Sequence, residues 1–536
     1  MAVFGEHYDL ETSPKTVSTL SDVPPSIPEF YEGRTIFITG ATGFMGKVLM
    51  EKLMRSCPKI KLIYVLIRPK KGQAPQERLS DILSSKLFDS IHETQPDFME
   101  RIIPINGDIL SPELGISAED EAKLISEVSI VFHSAATVKF DEALRFSLQM
   151  NVLGVKKLIE LSKKMTNLDA FIHVSTAYAN CDRQDVTECV YPPPVHPQKL
   201  LDAIEWMDDE MITKLTPKLI GSRPNTYTYT KALAEYLLVE ESKSFSVAIV
   251  RPSIVGASWK EPMPGWVDNY NGPTGMLIAI GKGLLRVMKG NFYATSDMIP
   301  VDVAVNTMIA VGWHTGVEKP SNTMVYNCTT GQINRLTWGE LERLSHEYLM
   351  KNPLEGAVRV PNPRFTRSSS WHNFKSVYEH QIPAYFLDTF RWLAGKKPIF
   401  VRLYDRLSKS VRSLDYFTSN EWKFHNDNMF MLQDKLNHDD QKLFDFDVKQ
   451  IDWRQYIEHY CLGAKNHILK EDMTNMDKPR AEMKRLQTWT RIIKLVGLVI
   501  LWRFLVSRVK IARSIWHFIL QLVSKMISKF PGIAKS

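Results

Sequence analysis

Thr35-Ile-Phe-Ile-Thr-Gly-Ala-Thr-Gly-Phe-Met-Gly46 decides the fold of this chain. Thr35 to Thr39 is short, apolar and β-branched, the composition of a buried strand. Gly40, Gly43 and Gly46 follow at three-residue intervals, and Lys47 to Leu53 reads as a helix. A strand, a glycine turn and a helix in that order make a dinucleotide site. One glycine permits the tight turn, one lets the backbone approach a pyrophosphate, and one lets the helix pack on the strand. The helix N-terminus then offers free N–H groups and a positive dipole to the phosphates. The spacing is G-x-x-G-x-x-G rather than G-x-G-x-x-G, and taken alone it also suits a tight turn in any α/β protein.

Downstream, Lys61 to Ile67 is a second buried strand ending at Arg68, where such a fold reads the adenosine ribose. An acid there would bind the 2′-hydroxyl and favour NAD. Arg68 offers a cation for a 2′-phosphate, with Lys70 and Lys71 close behind, which points to NADPH; a solvated basic loop is the alternative. Arg101 to Asn106 is a third strand, followed by Asp108, which either accepts from the adenine amino group or serves a turn. Ile130 to His133 runs into Ser134-Ala135-Ala136, small residues that let a cofactor lie over the strand end. Asn151-Val152-x-Gly154 opens a helix, with Asn151 read as a tie between strands rather than a ligand contact. Ala170 to Val174 delivers Ser175-Thr176, and Val247 to Val250 delivers Arg251-Pro252-Ser253. Strands alternate with helical segments, so the fold class is α/β with a doubly wound parallel sheet. All these candidates sit at its carboxyl edge, where ligands bind.

Tyr227-Thr-Tyr-Thr-Lys231 follows the fifth strand and opens a helix, Ala232 to Leu238. A Tyr and a Lys four apart share a helix face. The lysine's charge is expected to depress the phenol pKa, so that Tyr227 protonates a nascent alkoxide. Thr176, or its neighbour Ser175, would hydrogen-bond the same oxygen. Of the eighteen tyrosines only Tyr227 has Lys at +4, and Tyr229 and Tyr178 read as packing residues.

With 536 residues, two or three domains are expected. The net charge is +7, but Lys478 to Ser536 carries thirteen Lys/Arg against Glu482, a balance of +12, so the rest is about −5. The basic character belongs to a tail, and no nucleic-acid partner is expected. Five scattered cysteines without C-x-x-C spacing fit a reducing compartment with no disulfide framework or metal site. Residues 1–30 read as a disordered arm without a signal peptide. Residues 31–345 read as the nucleotide-binding catalytic domain. Within it, 259–295, rich in Gly, Pro and aromatics, reads as a substrate-covering insertion with a helix Met276 to Ile280. Residues 346–470 read as a separate, mostly α domain.

The tail, 471–536, holds an apolar run, Leu495 to Trp502, bracketed by Lys494 and Arg503, which is short for a span. Ile511 to Phe530 places Ile511, Ile515, Phe518, Ile519, Leu522, Val523, Met526, Ile527 and Phe530 on one helical stripe, with Lys525 and Lys529 opposite. A basic amphipathic helix reads as membrane-surface binding. The alternatives are packing on the chain's own domain, or on a second copy in a homodimer.

The motifs Thr39 to Gly46, Leu66-Ile-Arg68, His173-Val-Ser-Thr-Ala-Tyr178, Tyr227 to Lys231, Pro264-Gly-Trp-Val-Asp-Asn269, Asn271-Gly-Pro273, Gly281-Lys-Gly283, Ile299-Pro-Val-Asp302 and Val325-Tyr-Asn-Cys328 cover nearly the whole chain. Together they resemble the alcohol-forming fatty acyl-CoA reductases, within the extended short-chain dehydrogenase/reductases. The resemblance implies a Rossmann-type sheet, NADPH and a long-chain acyl-CoA substrate reduced through an aldehyde to the alcohol, with release of CoA. It implies Tyr227, Lys231, Thr176 and Ser175 as catalytic residues. The implied cofactor-binding set is Gly40, Thr42, Gly43, Phe44, Met45, Gly46, Arg68, Asp108, Ile109, Ala135, Ala136, Lys231 and Pro252. No cysteine is required, and Cys181 reads as a small buried residue. The catalytic part is expected to face the cytosol, where NADPH and acyl-CoA are supplied, on the endoplasmic reticulum or peroxisome. Competing readings are a relative acting on a sterol or nucleotide-sugar, and a non-catalytic lipid-binding protein.

Overall fold

Seven strands form the central sheet in the computed structural model, which describes residues 24–70 and 72–529. They are β1 (Thr35–Thr39), β2 (Leu62–Ile67), β3 (Ile102–Asn106), β4 (Ile130–His133), β5 (Ala170–Val174), β6 (Val247–Pro252) and β7 (Met324–Cys328). The order is β7-β6-β5-β4-β1-β2-β3, with every pairing parallel. The chain winds one way from β1 to β3 and the other way from β4 to β7. The crevice at the β1–β4 switch is where such a sheet binds ligands. Alternate residues feed two cores, as the period of two requires. Ile36, Ile38, Ile63, Phe132 and Ile172 meet the helices Ile27–Tyr31, Phe44–Ser56 and Val301–Glu318 on one face. Phe37, Val131, Phe171 and Ile249 meet Val155, Leu158, Ala234 and Leu238 on the other.

Three boundaries differ from the sequence reading. The arm does not extend to residue 30. Helix Ile27–Tyr31 is buried and capped by Ser26 and Glu29; the Ile27 N–H donates to Asp440 at 2.9 Å, and Tyr31 donates to the Ile309 carbonyl at 2.9 Å. Residues 1–23, the remainder of the arm, lie outside the described residues, as does Lys71. The nucleotide helix begins at Phe44, because Gly43 is its N-cap. The helix carrying Lys231 runs Thr226–Glu241, with Asn225 accepting from the Thr228 N–H at 2.9 Å, so Tyr227 lies in its first turn. Asn151 sits in a π-helical turn, bonded to Thr137 and Thr230, and ties the loop after β4 to that helix.

Part of the chain beyond residue 350 shares the core of the sheet. Phe444, Tyr456, Ile457 and Tyr460 are buried in the same core as β1 and the helix Val301–Glu318. Lys423–Phe424 pairs in parallel with Asp185–Val186, and Tyr456 donates to the Ala257 carbonyl at 2.9 Å. The stretch read as a substrate cover supplies the joint. Gly265, at φ +79°, lies against helix Trp453–Gly463, where a Cβ would strike the His459 carbonyl, and a Cβ on Gly463 would strike Gly265. Lys282 pairs with Glu471 at 2.7 Å. The Pro264-Gly265-Trp266 and Gly281-Lys282-Gly283 motifs therefore hold the C-terminal helices to the sheet domain.

The tail is a helical hairpin, Asp477–Arg508 and Lys510–Lys529, with Trp502 edge-on to Trp516 at 5.8 Å. Only Pro479 and Met483 of the first helix are buried; Leu498 to Leu501, Phe504, Ile511 and Phe518 stand exposed. The described part of the stripe thus does not pack on the chain's own domain. The Met526, Ile527, Lys529 and Phe530 side chains lie outside the described residues. Among the described residues no helix is long and apolar enough to cross a membrane.

Arg251 and Glu235, both fully buried, form a two-pronged ion pair at 2.7 and 2.9 Å between β6 and the Tyr227 helix. Removing one partner strands the other charge in the core. Glu235→Ala is expected to lose about 3–5 kcal/mol in urea unfolding, against under about 1 kcal/mol for an exposed pair such as Lys214–Glu210.

Candidate functional site

The carboxyl ends of β1 and β4 meet at the glycine turn. Gly40 adopts φ +80°, and a Cβ there would lie 2.7 Å from the Ala135 nitrogen and 2.8 Å from Ser134. On Gly46 a Cβ would strike the Gly40 carbonyl oxygen, so the helix packs backbone-to-backbone on the turn. Gly43 provides no side-chain cap, which leaves the first-turn N–H groups to the crevice. Phe44 stacks on Trp266 at 5.4 Å, and Met45 packs on the core, so these two present backbone rather than side chain to the crevice. Thr42 and Gly43 are the open positions of the turn. A bare helix N-terminus behind close-packed glycines is the cradle a dinucleotide pyrophosphate requires, and the residues fit that group.

Arg68 and Asp108 stand at the ends of adjacent strands, paired at 3.5 Å. Arg68 is 53% exposed and free to reorient. Asp108 also accepts from the Leu110 N–H at 3.1 Å, the turn role held open for it. Ile109 is buried against Gly154, and its carbonyl accepts from Lys157 at 3.0 Å. Its side chain therefore belongs to the core and not to the crevice surface. Ala135 and Ala136 line the strand end beside Gly40, and the Pro252 carbonyl accepts from Thr176 at 3.4 Å.

Thr176 lies beside Tyr227 and opposes the rise of its phenol pKa; its hydroxyl donates to the Pro252 carbonyl at 3.4 Å and accepts from the Tyr178 N–H at 3.3 Å. Lys231, one turn on, is buried and donates to the Val174 carbonyl at the end of β5 at 2.8 Å. Ser175 is not part of this group. It points to the other side of the strand and donates to Glu235, within the Arg251 ion pair. The expected depression of the phenol pKa is also absent. Burial raises Tyr227 to about 12, opposed by the Thr176 hydrogen bond, while the Lys231 ammonium is committed to the strand end. Burial likewise lowers Lys231 to about 8, opposed by the Glu235 charge. His133 and His173, 5.2 Å apart beneath the site, are held neutral by burial and by the Lys231 charge, His133 at about 3. Cys181 is buried, and burial raises its thiol to about 12, which removes it as a nucleophile.

The sequence reading missed the wall around Tyr227. Phe140 lies 5.9 Å from the Tyr227 ring and 5.3 Å from Phe417. Tyr178 meets Phe417, Trp422 and Phe424 edge-on at 5.2 to 5.5 Å. Nothing in the sequence tied Phe417, Trp422 or Phe424 to Tyr227. Phe140 carries no motif.

A family model described as male sterility protein, nucleotide-binding part, matches residues 38–308, and a second model of the same description matches 379–471. The chain is 49% identical over 505 residues to fatty acyl-CoA reductase 1 of Mus musculus, covering 94% of this chain and 98% of that one. It is 48% identical over the same length to the Homo sapiens protein of that name. Against fatty acyl-CoA reductase 2 of Mus musculus it is 46% identical over 504 residues. Among solved structures, the terminal R domain of the myxalamid biosynthetic pathway superposes with TM-score 0.54 at 19% identity, covering 83% of this chain and 93% of that one. The reductase domain of a nonribosomal peptide synthetase from Mycobacterium tuberculosis gives 0.55 at 18%, covering 84% and 94%. These two likenesses establish the shared fold. The two family models and near half identity across 94% of the chain establish more: the chain belongs to the fatty acyl-CoA reductases.

Proposed function

We propose that this chain reduces a long-chain acyl-CoA to the primary alcohol, with NADPH as reductant and release of CoA. The observation that carries the reading is the Tyr227–Thr176 pair at the carboxyl edge, beside a bare-backbone glycine turn, in a chain of this family. A bound nicotinamide cofactor supplies the hydride in both rounds. Thr176 and Tyr227 converge on the position of the substrate carbonyl oxygen and stabilise the negative charge that develops there. In the thioester round that oxyanion collapses, the C–S bond breaks, and Tyr227 keeps its proton. In the aldehyde round no leaving group remains, and Tyr227 gives its proton to the alkoxide. A phenol raised to about 12 is fully protonated at neutral pH and is still a far stronger acid than an aliphatic alcohol. Lys231 holds a positive charge behind the phenol. Phe140, Phe417 and Trp422 exclude water and present an apolar wall suited to an acyl chain.

Arg68 supports the choice of NADPH, as a half-exposed cation at the end of β2 within reach of a 2′-phosphate. The exposed basic hairpin 477–529 supports docking to an anionic membrane surface, with the catalytic part on the cytosolic side of the endoplasmic reticulum or peroxisome.

Tyr227→Phe is expected to cut alcohol formation from a long aldehyde by about 10²–10⁴-fold. NADPH binding, followed by fluorescence titration, should stay within about 2-fold, since only a hydroxyl is lost. Retained turnover in this variant, with loss in Tyr229→Phe, would move the acid to the other tyrosine. The pH profile of kcat/KM for NADPH should fall above about 8, as Lys231 passes from cation to neutral amine. Lys231→Arg should abolish that limb. Arg68→Ala should weaken NADPH by at least about 10-fold and leave NADH nearly unchanged; equal losses would show that Arg68 does not read the phosphate.

A further inference from the structure

The helices Ser369–Ser376 and Ile382–Leu393 and the turn between them carry a large uncovered aromatic surface. Trp371, Phe374, Tyr378, Tyr385, Phe386 and Phe390 are each more than half exposed. Trp371, Phe374 and Tyr378 follow at three- and four-residue steps up to a π-helical turn at Val377–Gln381, and Phe386 and Phe390 stand four apart beyond it. A contiguous apolar face of this size is a binding surface, because soluble chains rarely leave one open.

The face is built to stand open. Asp388 accepts from the Ile399, Phe400 and Val401 N–H groups at 2.8 to 2.9 Å, and so caps the next helix, Phe400–Arg412. The two helices form a hairpin around a cleft lined by Ala384, Leu387, Leu403 and Leu407. At its base Glu379 pairs with Arg359 at 2.8 Å and with Arg286 at 3.3 Å. The aromatic residues are therefore held outward on a fixed support.

Charge identifies the occupant. Residues 369–412 hold eight Lys/Arg and three acids. Of the acids, Glu379 and Asp388 are spent on the internal contacts just described, while Lys375, Arg391, Lys396, Lys397, Arg402 and Lys409 belong to the same hairpin, with Lys375 over the Trp371 ring at 5.3 Å. Trp and Tyr beside Lys and Arg is the composition of a membrane–water interface. A second protein copy fits less well, since lysine is depleted at protein interfaces. Position agrees: Glu482, at the root of the tail helix, accepts from the Gly356 N–H, three residues from Arg359. The roots of hairpin and tail are thus held at residues 356–359.

We infer that the aromatic hairpin 369–412 is a second membrane-docking surface, which seats the body itself on an anionic bilayer independently of the tail. The test uses the full-length chain with the exposed Cys189 replaced by Ser. An environment-sensitive fluorophore is placed at Phe386→Cys, Phe390→Cys, Ile500→Cys in the tail, or Lys214→Cys on an exposed helix far from the hairpin. Phosphatidylcholine vesicles with and without phosphatidylserine are added. Emission at positions 386 and 390 is expected to rise about 2-fold or more, shift to the blue and be quenched by lipid-borne nitroxide, more strongly with phosphatidylserine; position 214 should not respond. A response at 500 alone would overturn the inference and leave the tail as the sole anchor. A blue shift at 386 and 390 that follows protein concentration without vesicles would also overturn it, by assigning the face to self-association. Silence at 386, 390 and 500 together would refute tail docking as well.

Discussion

Backbone-to-backbone contact between the Gly40 carbonyl and Gly46 sets the position of everything at the carboxyl edge. A side chain at either position would push the helix Phe44–Ser56 off the sheet and break the line between its N-terminus and the crevice. Burial holds the contact in place: Val48, Leu49, Leu53 and Met54 pack into the core on the other side of the same helix. Each such side chain contributes about 1.5–3 kcal/mol when fully buried. The dipole and free N–H groups are thereby aimed without any cap that would compete for them.

The same device joins the two parts of the chain. Gly265 against the helix Trp453–Gly463 brings backbones together where side chains would keep them apart. The chain this contact anchors also lays Phe417 and Trp422 beside Tyr178 and, through Phe140, beside Tyr227. Trp266, the next residue after the joint, stacks on Phe44 at the start of the nucleotide helix. Joint, nucleotide turn and apolar wall are thus one mechanical unit.

The strands were legible because burial on both faces leaves an unbroken β-branched run, as in Thr35 to Thr39 and Leu62 to Ile67. The grouping of Tyr227, Lys231 and Thr176 was legible from a helix period and a strand end. The engagement of Ser175 was not legible, because its partner Glu235 lies 60 residues on in the Tyr227 helix. The joint made by the Pro-Gly-Trp stretch was not legible because its partner helix lies almost 190 residues downstream. The arm ended too late because Pro24, Pro25 and Pro28 hid a short helix whose partners, Trp313 and Asp440, are far along the chain.

Desolvation gives the site its direction. It acts on Tyr227, Lys231, His133 and His173 with one tendency, towards the uncharged form. For the two imidazoles the outcome is silence at neutral pH. For Tyr227 it is a phenol that stays protonated at neutral pH. Lys231 is the exception that makes the arrangement work, since Glu235 and the Val174 carbonyl keep it within a unit or so of neutrality as a cation. A fully solvated lysine would hold its charge more firmly but would sit in water that screens it. The buried one directs its charge at the Val174 carbonyl and so fixes the end of β5 beside the Tyr227 helix.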